Sequence, residues 1–195
     1  MRTAKIERNS KETMIKLELN LDGTGESSVS TNIGFFDHVL MNFSFHSLCD
    51  LKIEAIGDLH VDTHHLVEDV GIVLGQAIKD ALKDKKSINR FASCIIPMDE
   101  ALVLCAIDLS TRGYLEIDKK FQKEKIGDFE TDTVEEFFRA LAMNAGINLH
   151  FQVIRGNNNH HIIECMFKAF ARSLKQAVAL DPRIDKIPST KAVLW

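Results

Sequence analysis

The sequence predicts an α+β fold of two similar halves, each a mainly antiparallel β-sheet with helices packed on one face. A five-residue motif at His64–Glu68 recurs about half a chain later at His160–Glu164, which indicates an internal repeat. The segments around both copies show the same succession of helical and strand-like apolar spacing. The 195 residues therefore form one domain over 1–195, with halves of roughly 1–90 and 91–195.

An amphipathic helix begins with each copy of the motif. Apolar residues follow at i, i+4, i+8 and i+11 in both halves: Val70, Leu74, Ile78 and Ala81 in the first, and Met166, Phe170, Leu174 and Ala177 in the second. Thr63 and Asn159 precede the two helices and are predicted to be their N-caps. Each His-His pair therefore lies in a first helical turn.

Each half also contains a helix upstream of the motif, followed by a strand. The upstream helices are predicted at Gly34–Ser47 and Thr133–Gly146, and the strands at Leu51–Ala55 and Leu149–Val153. The remaining predicted strands are Lys5–Glu7, Met14–Leu21, Cys94–Pro97, Ala101–Asp108 and Tyr114–Asp118. Each half thus repeats the order helix, strand, helix.

The composition is that of a soluble globular protein, with 45% hydrophobic and 27% charged residues and a net charge of −4. Without an apolar run of roughly 18 residues or an apolar leader, we expect a cytoplasmic protein with no membrane contact. Without a basic cluster we expect no nucleic-acid partner, so any phosphate ligand is a small molecule. The four cysteines lack C-x-x-C spacing, which favours reduced thiols over a zinc or disulfide framework.

The paired histidines predict two metal sites. Residues i and i+4 of a helix share a face, whereas residue i+1 is rotated by about 100 degrees. His64 and Glu68 can therefore bind one ion while His65 points elsewhere. The repeat gives His160 and Glu164 the same relation, with His161 directed away. If the helices face each other across the repeat axis, each metal receives one His/Glu pair and one lone histidine.

A fourth protein ligand can come from the upstream helix of each half. His38 and Glu136 occupy similar positions there, 26 and 24 residues before the respective His-His pairs. Imidazole and carboxylate ligands without cysteine suit a divalent ion such as Mn, Fe or Zn. Asp69, next to Glu68, is expected to orient a ligand histidine.

Several motifs together resemble the imidazoleglycerol-phosphate dehydratase family of histidine biosynthesis, over nearly the whole chain. Besides the two histidine motifs, they are Leu21–Gly25, Gly34–His38, Asp108–Arg112, Phe167–Phe170 and Pro188–Lys191. The resemblance implies a hydro-lyase that converts imidazole glycerol phosphate to imidazole acetol phosphate with two Mn²⁺ ions per active site. It also implies a homo-oligomer of 24 subunits, built from eight trimers with active sites between subunits.

The resemblance assigns roles to individual residues. One manganese is implied to bind His38, His65, His160 and Glu164, and the other His64, Glu68, Glu136 and His161. Glu12 is implied to be the catalytic base, reaching the metals of a neighbouring subunit. The implied contacts to the substrate and its phosphate are Glu12, His46, Arg90, Arg112, Lys168, Ser189, Thr190 and Lys191.

Two other functions remain open for the same ligands. A dinuclear hydrolase would use the metals to activate water on a phosphate ester, and would need the phosphate at the metals themselves. A metal-storage shell would need no substrate site, but storage proteins of the helical-bundle type lack the strands predicted here. A separate phosphate site together with Glu12 therefore favours the dehydratase.

Overall fold

The computed structural model of the chain describes residues 1–191, so the last four residues of the predicted domain lie outside the described part. The first half contains β1 (Thr3–Asn9), β2 (Thr13–Asn20), β3 (Ser27–Ser30), α1 (Gly34–Ser47), β4 (Asp50–Gly57) and α2 (His64–Leu82). The second contains β5 (Phe91–Met98), β6 (Ala101–Asp108), β7 (Tyr114–Ile117), β8 (Lys125–Ile126), β9 (Phe129–Glu130), α3 (Thr133–Ala145), β10 (Asn148–Arg155) and α4 (Asn159–Ala177). The predicted fold class is confirmed.

Each half forms a four-stranded sheet with the same topology, β1-β2-β4-β3 in the first and β5-β6-β10-β7 in the second. The central pairings are antiparallel, and only the edge strands β3 and β7 run parallel to their neighbours. Strand β2 alternates buried Ile15 and Leu17 with exposed Lys16 and Glu18. One face of each sheet therefore belongs to the core.

The local structure differs from the sequence prediction in three strands and one cap. Strand β3 was not predicted, because Val29 is the only apolar residue of Ser27–Ser30 and gives no alternating pattern. Strands β8 and β9 were also not predicted, since two residues each are too few to show a pattern. The predicted N-cap Asn159 is wrong: Asn158 is the cap, and its side chain accepts a hydrogen bond from the His160 backbone. Thr63 does hold the N-cap position of α2, but Asp62 Oδ1 accepts the His64 N–H at 2.8 Å.

The four helices lie on the inner faces of the two sheets and pack across the repeat, α1 against α4 and α2 against α3. The rings of Phe43 and Phe170 stack 5.5 Å apart between α1 and α4. On α2, Gly71 and Gly75 face the backbone of Phe137 and Leu141 on α3. On α2 and α3 the contacts advance from Gly71–Phe137 to Gly75–Leu141, and on α1 and α4 they advance from His38–Glu164 to Phe43–Phe170. Both helices of each pair are therefore followed in the same direction, which means that they run parallel.

All four helices begin at the same end of the molecule. Helix α1 connects the parallel strands β3 and β4, and α2 follows β4 directly and packs back on the same sheet. Phe129, just before α3, lies 5.5 Å from Phe35 and 5.8 Å from Phe36 at the start of α1. Both His-His pairs therefore lie at this end. No helix in the described part of the chain is both long and apolar enough to cross a membrane.

The close approach of α2 and α3 leads to a stability prediction. A Cβ at Gly75 would lie 2.6 Å from the Leu141 carbonyl oxygen, which cannot retreat without moving α3. We expect Gly75→Ala to lower the free energy of unfolding by about 1–3 kcal/mol, as overpacked cores do. Thermal and denaturant unfolding of the variant measure this effect.

Gly34→Ala is the matched control, since a Cβ there meets no atom within 4 Å. Equal stability of the two variants would contradict a tight α2–α3 contact.

Candidate active site

The first group of predicted ligands lies at the start of α1 and α4, and is called here the α1–α4 cluster: His38, His160 and Glu164. Glu164 is buried, and its Oε2 lies 3.5 Å from His38 Nε2 and 3.3 Å from His160 Nε2. Metal–ligand bonds of about 2.0–2.3 Å place neighbouring ligand atoms of one octahedral ion roughly 3 Å apart. Each histidine is therefore close to the spacing that a shared ion with Glu164 requires.

The second carboxylate oxygen of Glu164, Oε1, is held by two residues that are not predicted metal ligands. Lys168 Nζ lies 2.6 Å from Glu164 Oε1, and Asn42 Nδ2 donates to the same oxygen at 3.3 Å. Burial raises the pKa of this carboxyl, but Lys168 and His38 outweigh burial, so the pKa lies below its ordinary value. Glu164 is thus an oriented carboxylate with Oε2 directed toward the two histidines.

The second group lies at the start of α2 and α3, and is called here the α2–α3 cluster: His64, Glu68 and Glu136. His64 Nε2 lies 3.4 Å from Glu68 Oε2, as the i,i+4 spacing predicts. Gly71 facing Phe137 and Gln76 bonded to Asn144 fix the register of the two helices. This register places Glu136 in line with Glu68, just as His38 is in line with Glu164 in the other cluster.

The remaining two histidines belong to neither cluster. His65 Nδ1 donates to Asp58 at 3.1 Å, and His161 Nδ1 donates to Glu100 at 2.7 Å. The hydrogen bond to Asp58 raises the pKa of His65, and the bond to Glu100 raises that of His161. A carboxylate on Nδ1 fixes the ring and leaves Nε2 as the coordinating atom, which is the usual arrangement around metal-ligating histidines.

Neither cluster is a complete metal site within one chain. Among residues 1–191, no three His, Cys, Asp or Glu side chains are grouped so that they could hold a metal ion by themselves. The donor chemistry nevertheless fits a divalent ion, because each cluster combines imidazole with carboxylate and each lone histidine has its ring oriented. The structure therefore brings His38 and His160 to Glu164 and His64 to Glu68, and it leaves His65 and His161 outside both clusters.

Glu12 lies beside His65. It is exposed in the β1–β2 turn, and its carbonyl accepts the backbone N–H of Asp58, the residue that orients His65. The Glu12 carboxylate is close enough to help raise the pKa of His65, after the larger effect of the Asp58 hydrogen bond. The predicted base and one lone histidine thus form a single surface feature.

Five of the predicted phosphate contacts meet in one open cleft of about 610 Å³, called here the phosphate cleft. They are Arg90, Arg112, Ser189, Thr190 and Lys191, joined by Lys186 and the Ser110 turn. Four cations line the cleft, and none of its described lining residues is acidic. Such a surface favours an anion with several oxygen acceptors.

The phosphate cleft lies near the C-terminal end of α4, whereas both clusters lie at the starts of the helices. The Arg90 N–H bonds to the carbonyl of Ala177, at the C-terminal end of α4, whereas His160 is at its start. The 19 residues of α4 span about 28 Å at 1.5 Å per residue. Lys168 and His46 do not join the cleft; they face each other in the groove between α1 and α4, near Glu164.

The sequence prediction for Asp69 is wrong, and three contributing residues were missed. Asp69 accepts from Thr13 Oγ1 at 2.5 Å and pairs with Arg8 at 2.9 Å, so it ties α2 to the first sheet and orients no histidine. The residues that orient the ligands are Asp58, Glu100 and Asn42. Asp58 and Glu100 lie in loops at no regular spacing from the histidine motifs, whereas Asn42 lies four residues after His38 on α1, 3.1 Å from His38 Nε2, so helical spacing could have found it.

Comparison with known proteins shows the family to which the chain is similar. Residues 31–174 match the family model described as imidazoleglycerol-phosphate dehydratase. The chain is 56% identical over 193 residues to the imidazoleglycerol-phosphate dehydratase of Acetivibrio thermocellus, covering 99% of each chain. It is 56% identical over 194 residues to that of Caldanaerobacter subterraneus, covering all of both.

Solved structures show the same likeness in three dimensions. The crystal structure of the imidazoleglycerol-phosphate dehydratase of Staphylococcus aureus superposes with a TM-score of 0.83 at 41% identity, over 92% of this chain and 99% of that one. The IGPD of Pyrococcus furiosus also gives 0.83, at 34% identity, over 97% of this chain and 100% of its own. With the repeated motif, the fold and nearly full-length identity in agreement, the chain belongs to the imidazoleglycerol-phosphate dehydratase family and is a hydro-lyase.

Proposed function

We propose that this chain dehydrates imidazole glycerol phosphate to imidazole acetol phosphate in histidine biosynthesis, at a two-manganese site completed between subunits of a cytoplasmic homo-oligomer. Family membership supports the reaction. The observation that carries the site proposal is the division of ligands within one chain. Glu164 lies within 3.5 Å of His38 and His160, and His64 lies 3.4 Å from Glu68, while His65 and His161 are oriented by carboxylates outside both clusters.

The ligand division implies a reciprocal exchange between two neighbouring chains. His65 of one chain completes the α1–α4 cluster of the next, and His161 of that next chain completes the α2–α3 cluster of the first. A single interface, formed by one surface of the first chain and a different surface of the next, thus completes two four-ligand metal sites side by side. Because this contact is heterologous, repeating it closes a ring or makes a filament, and a ring of three agrees with the trimers implied by the family resemblance. The total of 24 subunits rests on that resemblance alone.

Glu12 fits the role of base because it lies next to His65 on the surface of the same chain. When His65 enters the neighbour's α1–α4 cluster, the Glu12 carboxylate arrives at the same place. The reaction removes a hydroxyl from the carbon next to the imidazole ring and a proton from the following carbon. Two bound divalent ions would act there as Lewis acids toward the ring nitrogens, which makes loss of the hydroxyl easier. Glu12 accepts the proton from the second carbon, and so needs its carboxylate form.

The phosphate site requires a third chain. Both clusters lie at the helix starts, about 28 Å from the phosphate cleft by the length of α4. A small-molecule substrate cannot span that distance, so the cleft that receives its phosphate belongs to neither chain that supplies the metal ligands. The cations of the cleft bind the phosphate away from the metals, which distinguishes a dehydratase from a phosphate-ester hydrolase. Lys168, fixed by Glu164, borders the metal end of the same site.

Metal dependence is the first test of this proposal. Protein stripped by a chelator is expected to lose turnover of imidazole glycerol phosphate, and Mn²⁺ is expected to restore it together with growth to a large particle, because the metals join ligands of different chains. Turnover and light scattering on one sample measure both. Turnover that survives complete metal removal would contradict the proposal. Stoichiometric Mn²⁺ binding without turnover would instead favour the hydrolase or storage function.

Subunit complementation tests the division of the site. Glu164→Gln removes a ligand from the α1–α4 side, and Glu12→Gln removes the base from the opposite side. Each variant alone is expected to be nearly inactive, while random mixing gives intact sites at about one quarter of the contacts. Turnover after co-assembly measures this recovery.

A mixture of Glu12→Gln with His64→Ala is the matched control, since both changes fall on the same side and no contact is intact. If both mixtures stay inactive although the subunits exchange, the site does not lie between chains.

The phosphate cleft is tested by Arg112→Ala. The Arg112 side chain is exposed in the cleft, and its backbone is held in the turn by Ser110 and Asn148, so truncation removes a cation and leaves the turn intact. We expect KM to rise by about ten- to a hundredfold, the range for a hydrogen bond to a charged group. Arg183→Ala is the control, because Arg183 is exposed and paired with Asp181 outside the cleft lining. An unchanged KM in Arg112→Ala would exclude this cleft as the phosphate site.

A further inference from the structure

Lys85 is a buried lysine beneath the phosphate cleft. It lies in the connection between α2 and β5 and is only 4% exposed, although lysine is almost never buried without a partner. Its Nζ donates to the carbonyl of Leu109 at 3.1 Å. The nearby carboxylate of Asp108 is already engaged by Arg90, at 2.7 and 3.2 Å. The buried ammonium of Lys85 therefore donates its hydrogen bond to the Leu109 carbonyl.

This hydrogen bond holds one wall of the cleft. The Leu109 backbone is fixed on both sides, since its N–H donates to the Arg90 carbonyl at 3.1 Å and its own carbonyl accepts from Lys85. The next residues form the turn that presents Arg112, with Thr111 at a φ of 83°. A turn in this left-handed conformation needs support from its surroundings.

The connection that carries Lys85 also holds the second wall. The Ser87 N–H donates to the carbonyl of Lys186, and the Ser87 carbonyl accepts from Asp181. The Arg90 guanidinium donates to the carbonyl of Pro188 at 2.9 Å. The segment that lines the cleft with Ser189, Thr190 and Lys191 is thus attached to the same connection. Lys85 and the Arg90 carbonyl are thus two points at which this connection is joined to Leu109, just before the Arg112 turn.

We propose that Lys85 is a positioning residue of the phosphate cleft, whose buried ammonium fixes the Leu109 carbonyl and thereby holds Arg112 in place for an anion. This role rests on the proposed function in one respect, namely that the cleft receives phosphate. Lys85 does not line the cleft and so acts through the backbone and through its charge below the floor. Replacing Lys85 would release the Leu109 carbonyl and so disturb the position of the Arg112 turn, without removing any side chain that lines the cleft.

The charge state of Lys85 gives this role a pH signature. Burial lowers the pKa of Lys85 from its ordinary 10.5 to about 8, with Asp108 opposing and Lys79 and Arg90 adding to the decrease. As pH rises through this pKa the ammonium loses its proton, so phosphate affinity falls. The stability effect has the opposite sign. Between about pH 8 and 10.5 the unfolded chain binds more protons at this residue, so the free energy of unfolding rises with pH.

The test is the dissociation constant of inorganic phosphate, measured by calorimetry on the assembled, Mn²⁺-loaded full chain at about pH 7 and 9. In the wild-type protein, affinity is expected to fall with the rise in pH. Lys85→Met is expected to bind about tenfold more weakly at the lower pH, the size of a lost hydrogen bond to a charged group, with little further change at the higher pH. Lys86→Met, at the exposed neighbour paired with Asp84, is expected to match the wild type.

The outcomes separate this inference from the proposed function. If Arg112→Ala weakens phosphate binding and Lys85→Met does not, the cleft stands and the role of Lys85 is refuted. If Arg112→Ala also has no effect, the assignment of the cleft fails, and the inference fails with it. Should Lys85→Met not assemble, the wild-type profile still decides once the affinity is expressed for the phosphate dianion at both pH values, because a dianion affinity that does not fall would overturn the proposal.

Discussion

The contact between α2 and α3 is the constraint on which the candidate site depends. Gly71 and Gly75 let the two backbones approach until any side chain would meet a carbonyl oxygen. At that distance the helices cannot slide past one another, so the register that places Glu136 in line with Glu68 is fixed by packing. Phe43 and Phe170 have the same effect between α1 and α4, where His38 meets Glu164. The hydrophobic core thus sets the positions of polar groups at the end of the bundle.

Collecting all four helix starts at one end has an electrostatic cost. Helix N-termini carry partial positive charge and disfavour a cation. The carboxylates around the histidines counter this, since Glu136 lies in the first turn of α3, Glu68 and Glu164 follow in the second turns of α2 and α4, and Asp58 and Glu100 hold the lone imidazoles. Under the proposed function the incomplete ligand set at this end is a reason for assembly, since a neighbouring chain would supply the missing donor. Metal binding and subunit association would then be one equilibrium.

Under the proposed function, the distance along the helices between the cations of the cleft and the metal ligands explains why one site would need several subunits. Phosphate binds best to fixed cations, whereas the metals need open positions for the rest of the substrate. In the proposed assembly the cations of one chain would bind the phosphate, while ligands from two other chains would hold the metals that receive the rest of the substrate. The buried Lys85 and the Arg90–Asp108 pair support the cleft from below, where water screens their charges least.

The sequence by itself determined the features that depend on local spacing. The repeated motif gave the two halves, the i,i+4 relation gave the His64–Glu68 and His160–Glu164 pairs, and i+1 rotation correctly separated His65 and His161 from them. Tertiary structure alone decided which loop carboxylate orients each lone histidine, with Asp58 in place of the predicted Asp69. It also decided that Lys168, in the middle of α4, pairs with Glu164 and does not join the other predicted phosphate contacts in the cleft. The physical reason is that helical periodicity fixes neighbours within one turn, whereas contacts between elements distant in sequence are set by how the two sheets and four helices pack.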